Sequence, residues 1–138
     1  MLIDANIFME IARGQKQIRI CEDLMYAIKT DATQEDAYIT QFSLNAIEAM
    51  LSEKYEDFLY ELLLLIHQGK IKIAKNKPED DLSILAIKTG LNLDFDDACQ
   101  FLATAQLGTY LVTYDKDFAK TSLKTKTPEE VIKELSKS

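Results

Sequence analysis

Asp4, Glu48, Asp97 and Asp115 are spread along almost the whole chain, yet each falls where a strand or loop hands over to a helix or where a strand ends. Carboxylates gathered by a fold from such distant positions repel one another unless a cation neutralises them, and an all-oxygen donor set is what Mg²⁺ and Mn²⁺ prefer. The chemistry this points to is metal-assisted hydrolysis, which needs neither a histidine base nor a covalent nucleophile. The single histidine, His67, sits at a helix end and reads as structural.

Each acid also has an ordinary reading. Asp4 closes the short apolar run from Leu2 and, standing alone, is equally a turn or cap aspartate. Glu48 lies four residues after Leu44 and three before Leu51, so it projects from the core-facing stripe of a helix beginning at Ser43. An ionised carboxylate there is costly unless paired or metal-bound. The competing readings are a rim glutamate that bends to water, or a capping box with Asn45 as the cap and Glu48 as its partner. Asp94, Asp96 and Asp97 crowd one helix start, where acids complement the helix dipole. Asp94 fits the N-cap, Asp96 stacks with the polar Gln100, and Asp97 shares the apolar face with Phe101 and Ala105, which makes Asp97 the best ligand of the three. Asp115 follows the last clear strand and Asp117 lies two residues beyond; either suits a ligand.

The elements that must position these acids alternate strand with helix. Strands are expected at Leu2–Asp4, Tyr38–Thr40, Ile71–Ala74 and Tyr110–Thr113, with a weak one near Ser122–Thr125. Helices are expected from Asn6, as cap, to Arg13, and over Lys16–Thr30, Ser43–Glu53, Tyr55–His67, Pro78–Thr89 (stopped by Gly90), Asp94–Leu107 (stopped by Gly108) and onward from Pro128. The last is capped by a box of Thr127 and Glu130. Short apolar strands alternating with helices predict a parallel sheet covered on both faces, in which ligands bind beyond the carboxyl ends of the strands.

A chain of 138 residues with 47 % hydrophobic content suits one domain, residues 1–138, around one substantial core. The longest apolar stretch, Phe58 to Ile66, is broken by Glu61 and is about half the length a bilayer requires. With no leader pattern visible, a soluble, cytoplasmic protein is expected, with no membrane partner. Cys21 and Cys99 fall inside apolar-periodic segments and read as reduced core residues, so zinc is not expected. The net charge of −7 argues against a general nucleic-acid coating protein. It leaves a nuclease open, because lysines cluster at Lys70, Lys72, Lys75 and Lys77 and again at Lys116, Lys120, Lys124 and Lys126.

Four segments, Leu2-Ile-Asp-Ala-Asn-Ile, Ile39-Thr-Gln-Phe-Ser-Leu-Asn-Ala-Ile-Glu48, Leu93-Asp-Phe-Asp-Asp-Ala98 and Leu111-Val-Thr-Tyr-Asp-Lys-Asp-Phe118, together resemble the PIN-domain family, and within it the small VapC-type toxin branch. The resemblance implies a three-layer α/β/α fold with a five-stranded parallel sheet of order 3-2-1-4-5. It also implies a Mg²⁺- or Mn²⁺-dependent endoribonuclease that cleaves single-stranded RNA to 5′-phosphate and 3′-hydroxyl ends, the toxin partner of a small antitoxin protein. By position it makes Asp4, Glu48, Asp97 and Asp115 the catalytic metal ligands, with Asp117 as an auxiliary acid and Asn6 and Thr113 in supporting places. Ala5 stands where the family usually carries a hydroxyl residue, and Arg13 and Arg19 are the only arginines. Lys116, Lys120, Lys70 and Lys72 are the candidates for RNA contact. The segment Phe58–Ile66 is apolar around most of its circumference, and small PIN toxins pair through helices, so a homodimer is expected. A catalytically silent PIN scaffold that binds protein or RNA is the main alternative. A phosphoaspartate receiver or phosphatase would need a paired acid at the first strand, and Asp4-Ala-Asn6 lacks one.

Overall fold

The alternation of strand and helix places the sheet at the centre. The computed structural model describes residues 1–137; Ser138, the last residue of the expected domain, lies outside the described residues. In chain order the elements are β1 (Leu2–Ile3), α1 (Ala5–Arg13), α2 (Ile18–Lys29), β2 (Ala37–Thr40), α3 (Gln41–Leu51), α4 (Glu56–His67), β3 (Ile71–Ala74), α5 (Asp80–Leu91), α6 (Phe95–Leu107), β4 (Leu111–Val112), a 3₁₀ turn (Lys116–Lys120), β5 (Thr125–Lys126) and α7 (Pro128–Leu135). The five strands form one sheet of order β3-β2-β1-β4-β5. Every pairing is parallel, with Leu2 opposite Tyr38 on one side and Leu111 on the other. The expected three-layer fold and strand order are therefore both present.

The two-residue period of the strands sorts their side chains into two cores. Ile3, Ile39, Ile71 and Val112 join the larger cluster with Phe8, Leu24, Ile47, Leu62 and Val131, contributed by α1, α2, α3, α4 and α7. Leu2 and Leu111 turn the other way, toward Ile84 of α5, Ala98, Cys99 and Ala103 of α6, and Phe118. Both cysteines are buried free thiols, as their apolar neighbours predict.

Helix ends agree with the expected chemistry in some places and correct it in others. α7 carries the full capping box of Thr127 and Glu130 with Pro128 in the first turn. α6 stops at Gly108, whose φ of 66° is a left-handed conformation that glycine tolerates at low cost. α5, by contrast, runs through Gly90 and ends on Asn92 at φ 52°. It also begins at Asp80 rather than Pro78, and the Asp80 carboxylate accepts from the Lys77 amide (2.7 Å) and from Gln106 Nε2 (3.0 Å). α4 buries Leu59, Leu62 and Leu65 in one stripe and leaves Leu63 and Leu64 partly exposed beside Tyr60. Among the described residues, no helix is long and apolar enough to cross a membrane.

Candidate metal centre

The carboxyl end of the sheet gathers the acids because two adjacent strands end there side by side. Ile3 pairs with Val112, so the next residues, Asp4 and Thr113, emerge together. Both are buried. Thr113 Oγ1 donates to Asp4 Oδ2 (2.7 Å) and accepts from the Asp115 amide (2.9 Å), so one hydroxyl locks Asp4 to the turn that carries Asp115. Asp4 is also the N-cap of α1, its Oδ1 accepting from the Asn6 amide at 3.0 Å. That corrects the expectation that Asn6 caps this helix: Asn6 is inside the first turn and exposed, lining a cleft of about 290 Å³ with Glu10, Arg13, Gln15, Tyr114 and Asp115.

Asp115 in turn starts the 3₁₀ turn, accepting from the Asp117 amide at 2.8 Å. Asp94 caps α6 as expected, its Oδ1 accepting from the Asp97 amide at 2.7 Å. The result is that one oxygen each of Asp97, Asp115 and Asp117 lies within 4.8 Å of the other two. Burial falls off across this trio from Asp97 through the half-buried Asp115 to the exposed Asp117. Three convergent carboxylate oxygens, with no sulfur or imidazole donor among them, fit a hard divalent cation.

Electrostatics record the crowding. Burial pushes the Asp97 carboxyl up to about 8, with the charges of Asp94, Asp115 and Asp4 adding to it. Asp4 is also raised, first by burial, while the Thr113 and Asn6 hydrogen bonds oppose the shift and the charge of Asp115 adds to it. Displaced pKa values cluster at functional sites.

Glu48 occupies the second half of α3, half-buried, and is not one of the three acids that converge. The capping box proposed around it does not form. α3 starts at Gln41 with Thr40 as its cap, which leaves Asn45 inside the helix, accepting from Gln41 Nε2 at 2.9 Å.

Sequence reasoning assigned the wrong neighbours to Asp97. Its buried companions on α6 are Gln100 and Thr104, whereas Ala105 is exposed and Phe101 only partly covered. Asp96 points into the protein too: Ser43 Oγ donates to its Oδ1 at 3.3 Å, and burial together with the charge of Asp4 raises its carboxyl to about 6. The available signal was the polar series Asp96, Asp97, Gln100 and Thr104, spaced three and four apart along one side of a helix.

The lysines divide. Lys116 and Lys120 flank Asp117 on the 3₁₀ turn, with Lys120 Nζ donating to the Asn92 carbonyl at 3.1 Å. Lys70 and Lys72 belong to the opposite, amino end of the sheet, bound to Asp31 (2.6 Å) and Asp36 (3.1 Å), and the fold does not bring them to the acids. Lys126 is held by Glu134 at 2.6 Å and lies over the Tyr110 ring, where Lys124 also approaches. His67 is exposed at the end of α4.

Comparison with known proteins supplies the family. The sequence model of the PIN domain matches residues 1–124. No curated protein sequence matches the chain. Among solved structures, a chain of VapBC2 from Rickettsia felis, solved with a DNA fragment from their promoter, is similar at a TM-score of 0.67. It shares 14 % identity, over 91 % of this chain and 96 % of that one. PAE2754 from Pyrobaculum aerophilum is similar at a TM-score of 0.66 and 20 % identity, over 99 % of this chain and 89 % of that one. Identities this low carry the fold alone, but the family model spans most of the sequence and includes Asp4, Glu48, Asp97, Asp115 and Asp117. The chain belongs to the PIN-domain family, a family of nucleases.

Proposed function

We propose that this protein is a Mg²⁺- or Mn²⁺-dependent endoribonuclease that cleaves single-stranded RNA, the toxin of a toxin–antitoxin pair. The observation that carries the reading is the convergence of Asp97, Asp115 and Asp117 beside the buried Asp4, at the end of the sheet where parallel α/β folds bind ligands. Asp97, Asp115 and Asp117 would hold the cation, with Asp4 oriented toward it by Thr113 and Asn6. Glu48 stands as a further acid from α3. When bound, the cation supplies a water of lowered pKa and charge stabilisation for the leaving oxygen. The chain's own contribution is positional: Thr113 fixes Asp4 relative to Asp115, and the Asp94 cap fixes the start of α6 and hence Asp97. Lys116 and Lys120, on the turn that carries Asp117, would meet phosphates entering on the exposed side of the site.

The partner side of the proposal rests on different support. The solved neighbour from Rickettsia felis is part of a VapBC complex, which favours a small antitoxin as partner. Exposed leucines on α4 (Leu63, Leu64) and on α5 (Leu82, Leu85) favour a homodimer. The working unit is one PIN domain over residues 1–138, and its place of action the cytoplasm.

Cleavage of single-stranded RNA by the purified protein, with Mn²⁺ and with chelator, tests the central reading. Mn²⁺-dependent products ending in 5′-phosphate, lost in Asp97→Asn, are expected. Products of equal yield in chelator, or in Asp97→Asn, would remove the acids from the chemistry.

A further inference from the structure

Gln100 is fully buried, and neither its Oε1 nor its Nε2 finds a partner in hydrogen-bonding geometry among the described residues. A buried polar group without a partner is rare in native proteins and calls for an explanation, often a ligand or ion that completes its bonding. Its position supplies one. Gln100 follows Asp96 by four residues and Asp97 by three, so on α6 it lies on the same side as both acids, one turn farther from the capped end.

α6 packs against β1, and the buried Asp4 follows that strand. The Gln100 carboxamide approaches the Asp4 carboxylate without forming a well-made bond. Asp4 Oδ1 already accepts from the Asn6 amide and Oδ2 from Thr113 Oγ1. An ionised carboxylate has about four lone-pair sites, so room is left for an amide N–H and for a cation.

We propose that Gln100 is a positioning residue of the acidic site, its buried carboxamide donating to Asp4 and holding that carboxylate in the orientation that receives the metal. The inference rests on the metal-dependent reading above and adds a residue that touches neither metal nor RNA. Groups that orient metal-binding side chains in this way affect affinity by about 10- to 100-fold when removed.

The test is Mn²⁺ affinity, measured by calorimetry or by the resonance of free Mn²⁺, on the full chain without RNA. Gln100→Met keeps the volume and removes the amide, and Gln100→Leu serves as a second apolar replacement should the first not fold. Expected is Mn²⁺ binding weakened about tenfold or more in variants that still fold, shown by a cooperative thermal transition in chelator. Thr104→Val, removing a buried hydroxyl that is also unpartnered, one turn further along α6, should leave Mn²⁺ affinity alone. In an Asp4→Asn background, Gln100→Met should cause no further loss, since its effect runs through that carboxylate. Equal Mn²⁺ affinity in parent and Gln100 variants, or the same loss in both backgrounds, overturns the proposal while leaving the nuclease reading intact. A parent that binds Mn²⁺ but cleaves no RNA sinks the nuclease reading alone, and a parent that binds no Mn²⁺ sinks both.

Discussion

Asp97→Asn should make the metal-free protein more stable, and by an amount that depends on pH. In the folded chain the Asp97 carboxyl is pushed up to about 8 by burial and by Asp94, Asp115 and Asp4. In the unfolded chain it titrates at about 3.9. Between those values the folded form holds a proton that the unfolded form has released, so stability falls as pH rises from about 4 to about 8. Each unit of displacement corresponds to about 1.4 kcal/mol, which bounds the penalty at pH 8 near ~6 kcal/mol. Water and salt screen the exposed Asp94 and half-exposed Asp115, and Asp97 shares its repulsion with Asp4; about a third, or ~2 kcal/mol, should survive. Asn keeps the shape and removes the charge. The variant should therefore melt roughly 6–10 °C above the parent at pH 8 in chelator and close to it at pH 4. Saturating Mn²⁺ should raise the parent and not the variant, narrowing or inverting the difference. Thermal and urea unfolding from pH 4 to pH 8, with and without metal, measures this. A stability difference that stays constant across that range would refute the electrostatic account.

The remaining perturbations separate bonding, RNA contact and assembly. Thr113→Val removes the donor to Asp4 and the acceptor for the Asp115 amide together, so stability should fall by about 1–3 kcal/mol and Mn²⁺ affinity by about 10- to 100-fold; parental values for both would show the hydroxyl to be incidental. Asp4→Asn should stabilise the metal-free protein less than Asp97→Asn does, because Asn keeps the oxygen that caps α1 but loses the one that accepts from Thr113; equal gains from the two in chelator melts would count against that bond. Replacing Lys116 and Lys120 by Ala should weaken RNA binding and reduce the salt slope by about 0.7 per lost phosphate contact, whereas the same change at Lys70 and Lys72 should do neither, read by fluorescence anisotropy across a salt series. For assembly, light scattering should give twice the chain mass, and glutamate at Leu63 and Leu64 or at Leu82 and Leu85 should reduce it at whichever face pairs; a parent mass of one chain removes the dimer.

Four strands were legible because Ile3, Ile39, Ile71 and Val112 lie in short apolar runs bounded by turn residues, and the order in the sheet follows from the family resemblance and is present in the structure. The fifth, expected near Ser122–Thr125, lies at Thr125–Lys126, a half-buried polar pair with no apolar pattern to mark it. The faces of the helices were harder to read. On α6 the apolar pattern of Asp97, Phe101 and Ala105 suggested one inner face, while the helix actually turns Gln100 and Thr104 inward. Hydrophobic periodicity cannot find a face whose buried members include polar residues, since their burial depends on what other elements bring against them, as Ser43 of α3 is brought against Asp96. Ion pairing misleads in the same way. Lys70 and Lys72 look like free cations in the sequence, but Asp31 and Asp36, distant in the chain, lie beside them in the fold.

For Asp4 and Asp115 the ordinary reading holds, and it does not compete with a role at a metal. Asp4 caps α1, Asp94 caps α6 and Asp115 caps the following 3₁₀ turn, each by accepting a backbone N–H. A cap aspartate is common because the start of a helix is electropositive and its first amides lack partners. The same two facts make a helix start a tolerable place to hold an acid near other acids before a cation arrives. By turning the starts of α1 and α6 and the turn after β4 toward the end of the sheet, the fold brings ordinary caps into one cluster. A sequence examined one helix at a time therefore cannot separate cap from ligand, because Asp4 and Asp115 occupy the cap geometry and the acidic cluster at once.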